Sequence, residues 1–321
     1  MHIIRIYIVL IAILALFDSC KQNTKKLPDH QVRFFNGSTN NKIEVLDWGG
    51  DGAPLFFLSG LGNSAHVFDD FAPKFTDAFH VYALTRRGFG ASAPSNGYDL
   101  KTLTSDIIAI MDSLHIQKVI LAGHSIAGEE ITKFAVLYPD RIDKIIYFDA
   151  AYDRIGIDSL FSDSPESPKA TSDDSSSIQK LKKFYISTYG ITMTDEEIKQ
   201  TSVFSKEGRY LRDLTADSII GAVIAGAEHP DYTHIKCPAL AIYAQNDSVQ
   251  EIFKFYSGLD STNKSKADKI HLKGENLRLE QQNRFKNEVQ NGIVKVIKGA
   301  DHYLFITHPY ETEKMMREFL K

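Results

Sequence analysis

The chain has 321 residues, of which 43% are hydrophobic and 24% charged, a composition typical of a globular protein with a large core. Its net charge of −4 and pI near 6.3, with no arginine-rich run, argue against nucleic acid as a partner. Zinc-type cysteine spacings, metal-ligand clusters and phosphate-binding loops are missing from the sequence, so we predict no cofactor.

Residues 1–20 predict an export signal. Arg5 is followed by an apolar run from Ile6 to Phe17, which is too short for a membrane span of about 20 residues. The run ends in LFDSC, which resembles a bacterial lipoprotein signal, in which Cys20 would be lipidated and become the mature N-terminus. An uncleaved signal anchor and an ordinary signal cleaved nearby are the alternatives. Each of the three interpretations places the protein outside the cytoplasm. The lipoprotein signal would also attach it to a membrane through the lipid on Cys20.

Residues 21–33 are polar and rich in lysine, which predicts a tether. Seven short apolar runs then predict strands, beginning at residues 43, 53, 80, 118, 144, 238 and 292. Most of these runs are apolar throughout, which is typical of strands covered on both faces. Helical patterns such as 102–115 lie between them, so we expect a mostly parallel α/β sheet flanked by helices.

The alternation of strands and helices stops between 152 and 235, where a serine- and aspartate-rich stretch precedes several helix-like segments. We interpret 152–235 as a helical cap inserted into an α/β core of 34–151 and 236–321. A further polar helix is predicted over 275–290. The cap carries apolar side chains that either line an acyl pocket or pack its helices together: Phe184, Tyr185, Tyr189, Phe204, Tyr210, Ile219, Ile220, Val223 and Ile224.

The segment ILAGHSIAGEE (120–130) places Ser125 between a buried strand and a cluster of small residues. This pattern predicts a strand, a sharp turn and a helix, with the hydroxyl of Ser125 held at the apex of the turn. Glu129 and Glu130 then fall in the first helical turn, where carboxylates interact favourably with the helix dipole. We therefore expect structural roles for both.

A serine hydroxyl needs a base, an acid that orients the base, and donors for the developing oxyanion. His302 is the candidate base because it follows a strand and a Gly-Ala turn, whereas His271 and His308 lie in less suitable positions. The candidate acid is Asp247, directly after the strand LAIYA. Asp149, after the preceding strand, is its rival because either strand end can reach the histidine.

The predicted oxyanion donors are two backbone amides. The N–H of Ile126 is adjacent to the candidate nucleophile, and the N–H of Leu61 lies in the small-residue loop FLSGLGNS after an early strand. Arg86 and Arg87, in the segment RRGFGASAPS, are expected to anchor their own loop.

The order Ser125, Asp247, His302, the elbow Gly-His-Ser-Ile-Ala-Gly and the segments SGLGNSAHVFDDF and GADHYLFITHP resemble the α/β-hydrolase superfamily. The resemblance implies an acyl-enzyme on Ser125, proton transfer by His302 and an orienting carboxylate. Ser125 disfavours the branches that use aspartate at the elbow. The predicted function is hydrolysis of a small or medium carboxylic ester; an amidase or peptidase and a non-catalytic ligand-binding lipoprotein are the alternatives.

Overall fold

The computed structural model describes residues 29–157 and 161–321. The predicted signal, its lipidation site Cys20 and residues 21–28 of the tether lie outside the described residues. The prediction of a tether extending to residue 33 is wrong at its end, because the first strand begins at Gln31 and pairs with the second. Residues 31–33 are therefore part of the sheet.

Eight strands form one sheet, in the order β1-β2-β4-β3-β5-β6-β9-β10, and two short strands form a separate pair. The pairings of β1 with β2 and of β2 with β4 are antiparallel, and those from β4 through β10 are parallel. The ten strands are β1 (Gln31–Asn36), β2 (Lys42–Gly49), β3 (Ala53–Leu58), β4 (Phe79–Leu84), β5 (Val119–His124), β6 (Ile142–Phe148), β7 (Ser202–Phe204), β8 (Tyr210–Asp213), β9 (Ala239–Gln245) and β10 (Gly292–Lys298).

The central strands are buried on both faces, as their apolar runs predicted. Every residue of β5 is buried, and its neighbours β3 and β6 pair with it along both edges. One apolar cluster, around Phe56, Ile131 and Tyr147, covers one face of the sheet, and another, around Phe57, Phe71 and Phe148, covers the opposite face. This is a mostly parallel α/β sheet with a core on each side.

Nine helices flank or extend from this sheet among the described residues: α1 (Leu100–Ser113), α2 (Ala127–Leu137), α3 (Ile178–Tyr189), α4 (Asp195–Thr201), α5 (Asp217–Ala225), α6 (Val249–Ile252), α7 (Ser261–Glu288), α8 (Leu304–Thr307) and α9 (Pro309–Leu320). Across these residues, none of the helices combines the length and hydropathy that a bilayer span requires.

Helix α7 is about twice as long as the predicted helix 275–290. Its buried side chains include Arg278, Gln281 and Gln282 as well as Ala267, Ile270 and Phe285. Because half of its buried residues are polar, an apolar repeat identifies only part of it.

The segment 152–235 contains α3, α4 and α5, and also the antiparallel pair β7–β8, which the sequence did not predict. Those strands are only three and four residues long, too short for a periodic pattern to be visible.

Candidate active site

Ser125 occupies a sharp turn between β5 and α2. Its φ is +55°, a left-handed conformation that is rare for a residue with a side chain. Its N–H donates to the carbonyl of Phe148, 3.2 Å away, which ties the turn to the end of β6. A side chain at Gly128 would lie 2.0 Å from the carbonyl oxygen of Ala150. The small residues of this segment therefore allow α2 to begin directly against the end of the sheet.

The imidazole of His302 is held by a carboxylate. Its Nδ1 lies 2.7 Å from Oδ2 of Asp149, the residue that directly follows β6. The Asp149 carboxylate also accepts hydrogen bonds from the hydroxyl of Tyr152 (2.9 Å) and the N–H of Ala244 (3.1 Å). Because Nδ1 faces a carboxylate, it carries the proton, which leaves Nε2 of His302 as a basic acceptor.

Asp247 does not take the position predicted for the acid. It is exposed, its N–H donates to Glu251 at 2.7 Å, and its carboxylate accepts from Gln245 at 3.3 Å. The preference for Asp247 over Asp149 is thus corrected by the structure. The physical reason is local: although β9 is the neighbour of β10, which precedes His302, the carboxylate and N–H of Asp247 are engaged by Gln245 and Glu251, whereas the Asp149 carboxylate reaches Nδ1 of His302.

His124, the last residue of β5, supports the loop that bears His302. It is fully buried, its ring centre lies 4.6 Å from that of His302, and its Nε2 donates to the His302 carbonyl at 2.9 Å. Burial lowers the pKa of His124 well below its usual value, so the ring is neutral. His124 thereby connects the turn at Ser125, which directly follows it in the chain, to the loop that carries His302.

The loop proposed to donate to an oxyanion packs against this turn. A Cβ atom at Gly60 would lie 3.1 Å from Cβ of Ser125. Glycine at position 60 therefore lets the loop that carries Leu61 approach Ser125 closely. Leu61 is half-buried. Ile126 is the N-cap of α2, a position whose N–H has no partner within the helix. Both predicted donors thus lie at the end of the sheet where Ser125 lies.

Arg86 fixes this loop to α2. Its guanidinium donates to the carbonyls of Ser59 (2.8 Å) and Gly60 (3.3 Å) and to Oε1 of Glu130 (2.7 Å). Both charged side chains are buried. Arg87 forms a similar anchor by pairing with Asp106. The predicted structural roles of Arg86, Arg87 and Glu130 agree with these contacts.

Glu197, on α4, connects the 152–235 segment to the same loop. Its carboxylate accepts from the side chain of Asn63 (2.9 Å) and from the N–H and hydroxyl of Ser64. Thr194 caps α4 by accepting from the N–H of Glu197 at 3.0 Å, but the Glu197 side chain points to the loop instead of completing a capping box. Burial raises the pKa of Glu197 to about 7.

Two cavities open at this end of the fold. The cap cavity, of about 340 Å³, lies between the 152–235 segment and the loop, and its lining includes Leu61, Tyr185, Tyr189, Ile220 and Tyr303. The arginine cavity, of about 240 Å³, is lined in part by Asp149, Tyr152, Arg154, His271, Arg278 and His302. Of the cap residues proposed for an acyl pocket, Tyr185, Tyr189 and Ile220 lie on the cap cavity.

One cluster of metal-ligating side chains is present among the described residues. The ligand atoms of His30, His66 and Asp69 lie within 4.8 Å of one another. Although burial favours the neutral imidazole, the hydrogen bond to Asp69 at 3.0 Å and the nearby Glu44 carboxylate, 3.8 Å from Nε2, raise the pKa of His66 to about 10. A cationic His66 between two carboxylates explains this cluster as an ion-pair network.

A family model described as the alpha/beta hydrolase fold matches residues 53–249. The chain belongs to the alpha/beta-hydrolase fold family. It is similar to an sn-1-specific diacylglycerol lipase from Danio rerio, with 31% identity over 112 residues, which are 34% of this chain and 35% of the lipase. It is also 25% identical to a 2-hydroxy-6-oxononadienedioate/2-hydroxy-6-oxononatrienedioate hydrolase from Paraburkholderia phymatum, over 70% of this chain and 81% of that one.

Among solved structures, E-2-(acetamidomethylene)succinate hydrolase superposes with a TM-score of 0.66 at 19% identity, covering 91% of this chain and 99% of the other. This similarity concerns the fold alone. Against three curated relatives that match at 31–33% identity, the chain aligns with only 35% to 42% of the relative's length.

Sequence reasoning missed Arg154, Tyr152 and Glu197. Tyr152 and Arg154 lie directly after the DAA segment that ends β6, so their position three and five residues beyond Asp149 was the available signal. The only local sequence signal at Glu197 is its capping-box spacing from Thr194. No sequence pattern indicates that its carboxylate reaches Ser64, 133 residues earlier in the chain.

Proposed function

We propose that this protein is a serine hydrolase that cleaves a small or medium carboxylic ester through an acyl-enzyme on Ser125. The observation that carries the proposal is the 2.7 Å hydrogen bond between Asp149 and His302. The His302 ring packs on His124, which directly precedes a serine held in a left-handed turn. An orienting carboxylate and a correctly protonated imidazole are what a serine needs to become a nucleophile.

In the proposed reaction, Ser125 Oγ attacks the ester carbonyl carbon while its proton passes to Nε2 of His302. The N–H groups of Leu61 and Ile126 stabilise the oxyanion. The carbon–oxygen bond to the leaving group then breaks as His302 returns the proton to the departing alcohol. Water attacks the acyl-enzyme in the same way, which releases the carboxylic acid and restores the serine hydroxyl. Asp149 orients the imidazole throughout.

The cap cavity is the proposed acyl site because it contacts Leu61, one of the two oxyanion donors. Its aromatic and aliphatic side chains suit an apolar acyl chain. An amide substrate would follow the same steps with an amine as leaving group, so amides belong in the substrate panel. The relative named as a diacylglycerol lipase supports the ester assignment.

The test is labelling of the purified protein with a fluorophosphonate probe, followed by assays of an ester series of increasing acyl length. Labelling is expected in the wild type and absent in Ser125→Ala and His302→Ala. A folded wild type that neither labels nor cleaves any ester or amide would refute the proposal and favour a ligand-binding protein.

We also propose that the protein is exported and anchored to a membrane through lipidated Cys20, on the basis of the LFDSC motif. Mass spectrometry of the mature N-terminal peptide from membranes of the native host should show a diacylglyceryl-modified Cys20. A soluble mature protein that begins elsewhere would refute the anchor.

A further inference from the structure

We propose that the arginine cavity binds a carboxylate group on the leaving-group portion of the substrate, and that Arg154 holds this carboxylate. The inference rests on the proposed function, since it names the substrate class of the same site. It identifies the natural substrate as an anionic ester.

Arg154 has unused hydrogen-bonding capacity in a largely buried position. Only 20% of its side chain is exposed. Within the described part of the chain, neither Nε nor Nη2 has a hydrogen-bond partner, although both atoms are inaccessible to solvent. A buried guanidinium with unpaired donors is energetically unfavourable, and a carboxylate is the group whose geometry matches it best.

The carboxylate closest to Arg154 does not neutralise it effectively. Oε1 of Glu129 lies 3.9 Å from Nε, beyond hydrogen-bond distance, and neither oxygen of Glu129 has a partner among the described residues. Burial raises the pKa of Glu129 to about 7, so a substantial fraction of this carboxyl is neutral near pH 7. Arg154 thus remains available to an incoming anion.

The other charged groups of the cavity are already paired. Asp149 is bound to His302, Tyr152 and the Ala244 N–H. Glu275 accepts from both Nε and Nη2 of Arg278. Arg154 is therefore the cation on the lining that has no hydrogen-bonded carboxylate among the described residues, its ion-pair partner Glu129 lying 3.9 Å away.

The segment that carries Arg154 is held rigidly. The hydroxyl of Tyr243 donates to the carbonyl of Ala151 at 2.8 Å. The N–H of Asp153 donates to Gln281 at 2.9 Å, and its carboxylate accepts from Arg284 at 2.7 Å. On the other side of Arg154, the N–H of Ile155 donates to the same Asp153 carboxylate at 3.1 Å. Because the backbone on both sides is fixed, less conformational entropy is lost when Arg154 binds an anion.

His302 determines which end of the substrate the cavity receives. This residue lines the cavity and is the group that would return a proton to the leaving alcohol. The cap cavity, by contrast, lies at the oxyanion donor Leu61, and its charged lining residues Glu197, Asp213 and Asp217 are all acidic. A substrate carboxylate is therefore favoured on the leaving-group side and disfavoured on the acyl side.

The test compares 4-acetoxybenzoate, which carries a carboxylate on its leaving group, with its neutral methyl ester, in the full protein. Arg154→Gln should lower kcat/KM for the anionic ester about 30- to 100-fold, the size expected for lost hydrogen bonds to a charged group. The neutral ester should change less than about threefold. Arg154→Lys should recover part of the loss, and Glu129→Gln should retain or increase the anionic preference.

Arg33→Gln is the charge-matched control, because Arg33 lies on β1, outside the lining of the cavity, and pairs with Asp47. It should leave the ratio of the two esters unchanged. Fluorophosphonate labelling and circular dichroism establish that each variant is folded.

Equal losses on both esters in Arg154→Gln would overturn the inference. An Arg154-dependent preference seen with 4-nitrophenyl hemiglutarate, and not with 4-acetoxybenzoate, would overturn the assignment to the leaving group. If the wild type cleaves the neutral ester and shows no higher kcat/KM for the anionic ester, the carboxylate site is refuted and the hydrolase is not. A wild type that neither labels nor cleaves either ester refutes the hydrolase.

Discussion

The cap cavity and the arginine cavity use different parts of the 152–235 segment, and different parts of the core. The first is enclosed largely by the inserted segment, through Tyr185, Tyr189 and Ile220, and its charged residues are acidic. The second lies between the segment after β6 and the long helix α7, and it presents Arg154 and Arg278. An inserted cap can change in size or shape without moving the sheet, whereas the arginine cavity shares Asp149 and His302 with the proposed catalytic machinery.

This comparison shows how one site can separate two kinds of selectivity. Apolar contacts in the cap cavity grade acyl chains by length, since each buried methylene contributes about 0.8 kcal/mol. A paired guanidinium instead recognises one functional group in a defined position. The following experiments test the division of roles, beginning with the largest expected effect.

Asp149→Asn should lower kcat on every substrate about 10³- to 10⁴-fold, because an amide cannot hold the imidazole of His302 in the required tautomer. The loss should be the same for neutral and anionic esters, unlike that of Arg154→Gln. Steady-state kinetics on both esters measure this.

Asp247→Asn is the matched control for Asp149→Asn, because both remove a carboxylate that follows a strand. Its kcat should stay within about twofold of wild type, since Asp247 is exposed and bonded only within its own turn. A large loss in Asp247→Asn with normal activity in Asp149→Asn would show that the pairing seen in the structure is not the functional one.

Ile220→Trp should fill part of the cap cavity and lower kcat/KM for long-chain esters about tenfold relative to acetate esters. The preference for 4-acetoxybenzoate over its methyl ester should persist, because that preference arises in the other cavity. The measurement is kcat/KM across an acyl series.

Ile224→Trp is the control for Ile220→Trp, since Ile224 lies on the same helix, is 40% exposed and is not part of the cavity lining. An identical shift in both variants would indicate a general effect on the cap rather than occupation of the cavity.

Glu197→Gln should alter the pH dependence of stability more than activity. The folded-state pKa of about 7 lies above the usual 4.5, so the folded state retains a proton that the unfolded state loses. The contribution of Glu197 to the free energy of unfolding is fully present below pH 4.5 and is lost as the pH rises through 7. The loss is about 3 kcal/mol at most. Glu129, whose pKa is also raised by burial, lowers the stability of the folded state in the same way as the pH rises.

Denaturant unfolding of the wild type between pH 4.5 and 8 should therefore show a decline that is smaller in Glu197→Gln. Glu196→Gln is the matched control because Glu196 is the neighbouring carboxylate and its pKa is lowered through a hydrogen bond to Gln200. A wild-type decline that Glu197→Gln leaves unchanged would contradict the assignment of the proton to Glu197.

Some segments could be predicted from the sequence because their residue types alone indicate the local structure. All seven predicted strands are present. The central ones were readable because a strand buried on both faces, such as β5, must be apolar along its whole length. The Ser125 turn was equally readable, since only small residues fit where Gly128 meets Ala150. The short strands β7 and β8 and the polar-faced half of α7 lack such a signal, and the sequence did not predict them.

The sequence by itself determined the α/β class, the turn at Ser125 and the choice of His302, because each depends on residues that are neighbours in the chain. Tertiary structure alone decided between Asp149 and Asp247, since both follow a buried strand and only the folded chain shows which carboxylate reaches Nδ1 of His302. It also decided the surroundings of Arg154 and Glu197. Whether a charge is paired or unpaired depends on burial and on partners distant in sequence, and these exist only in the folded chain.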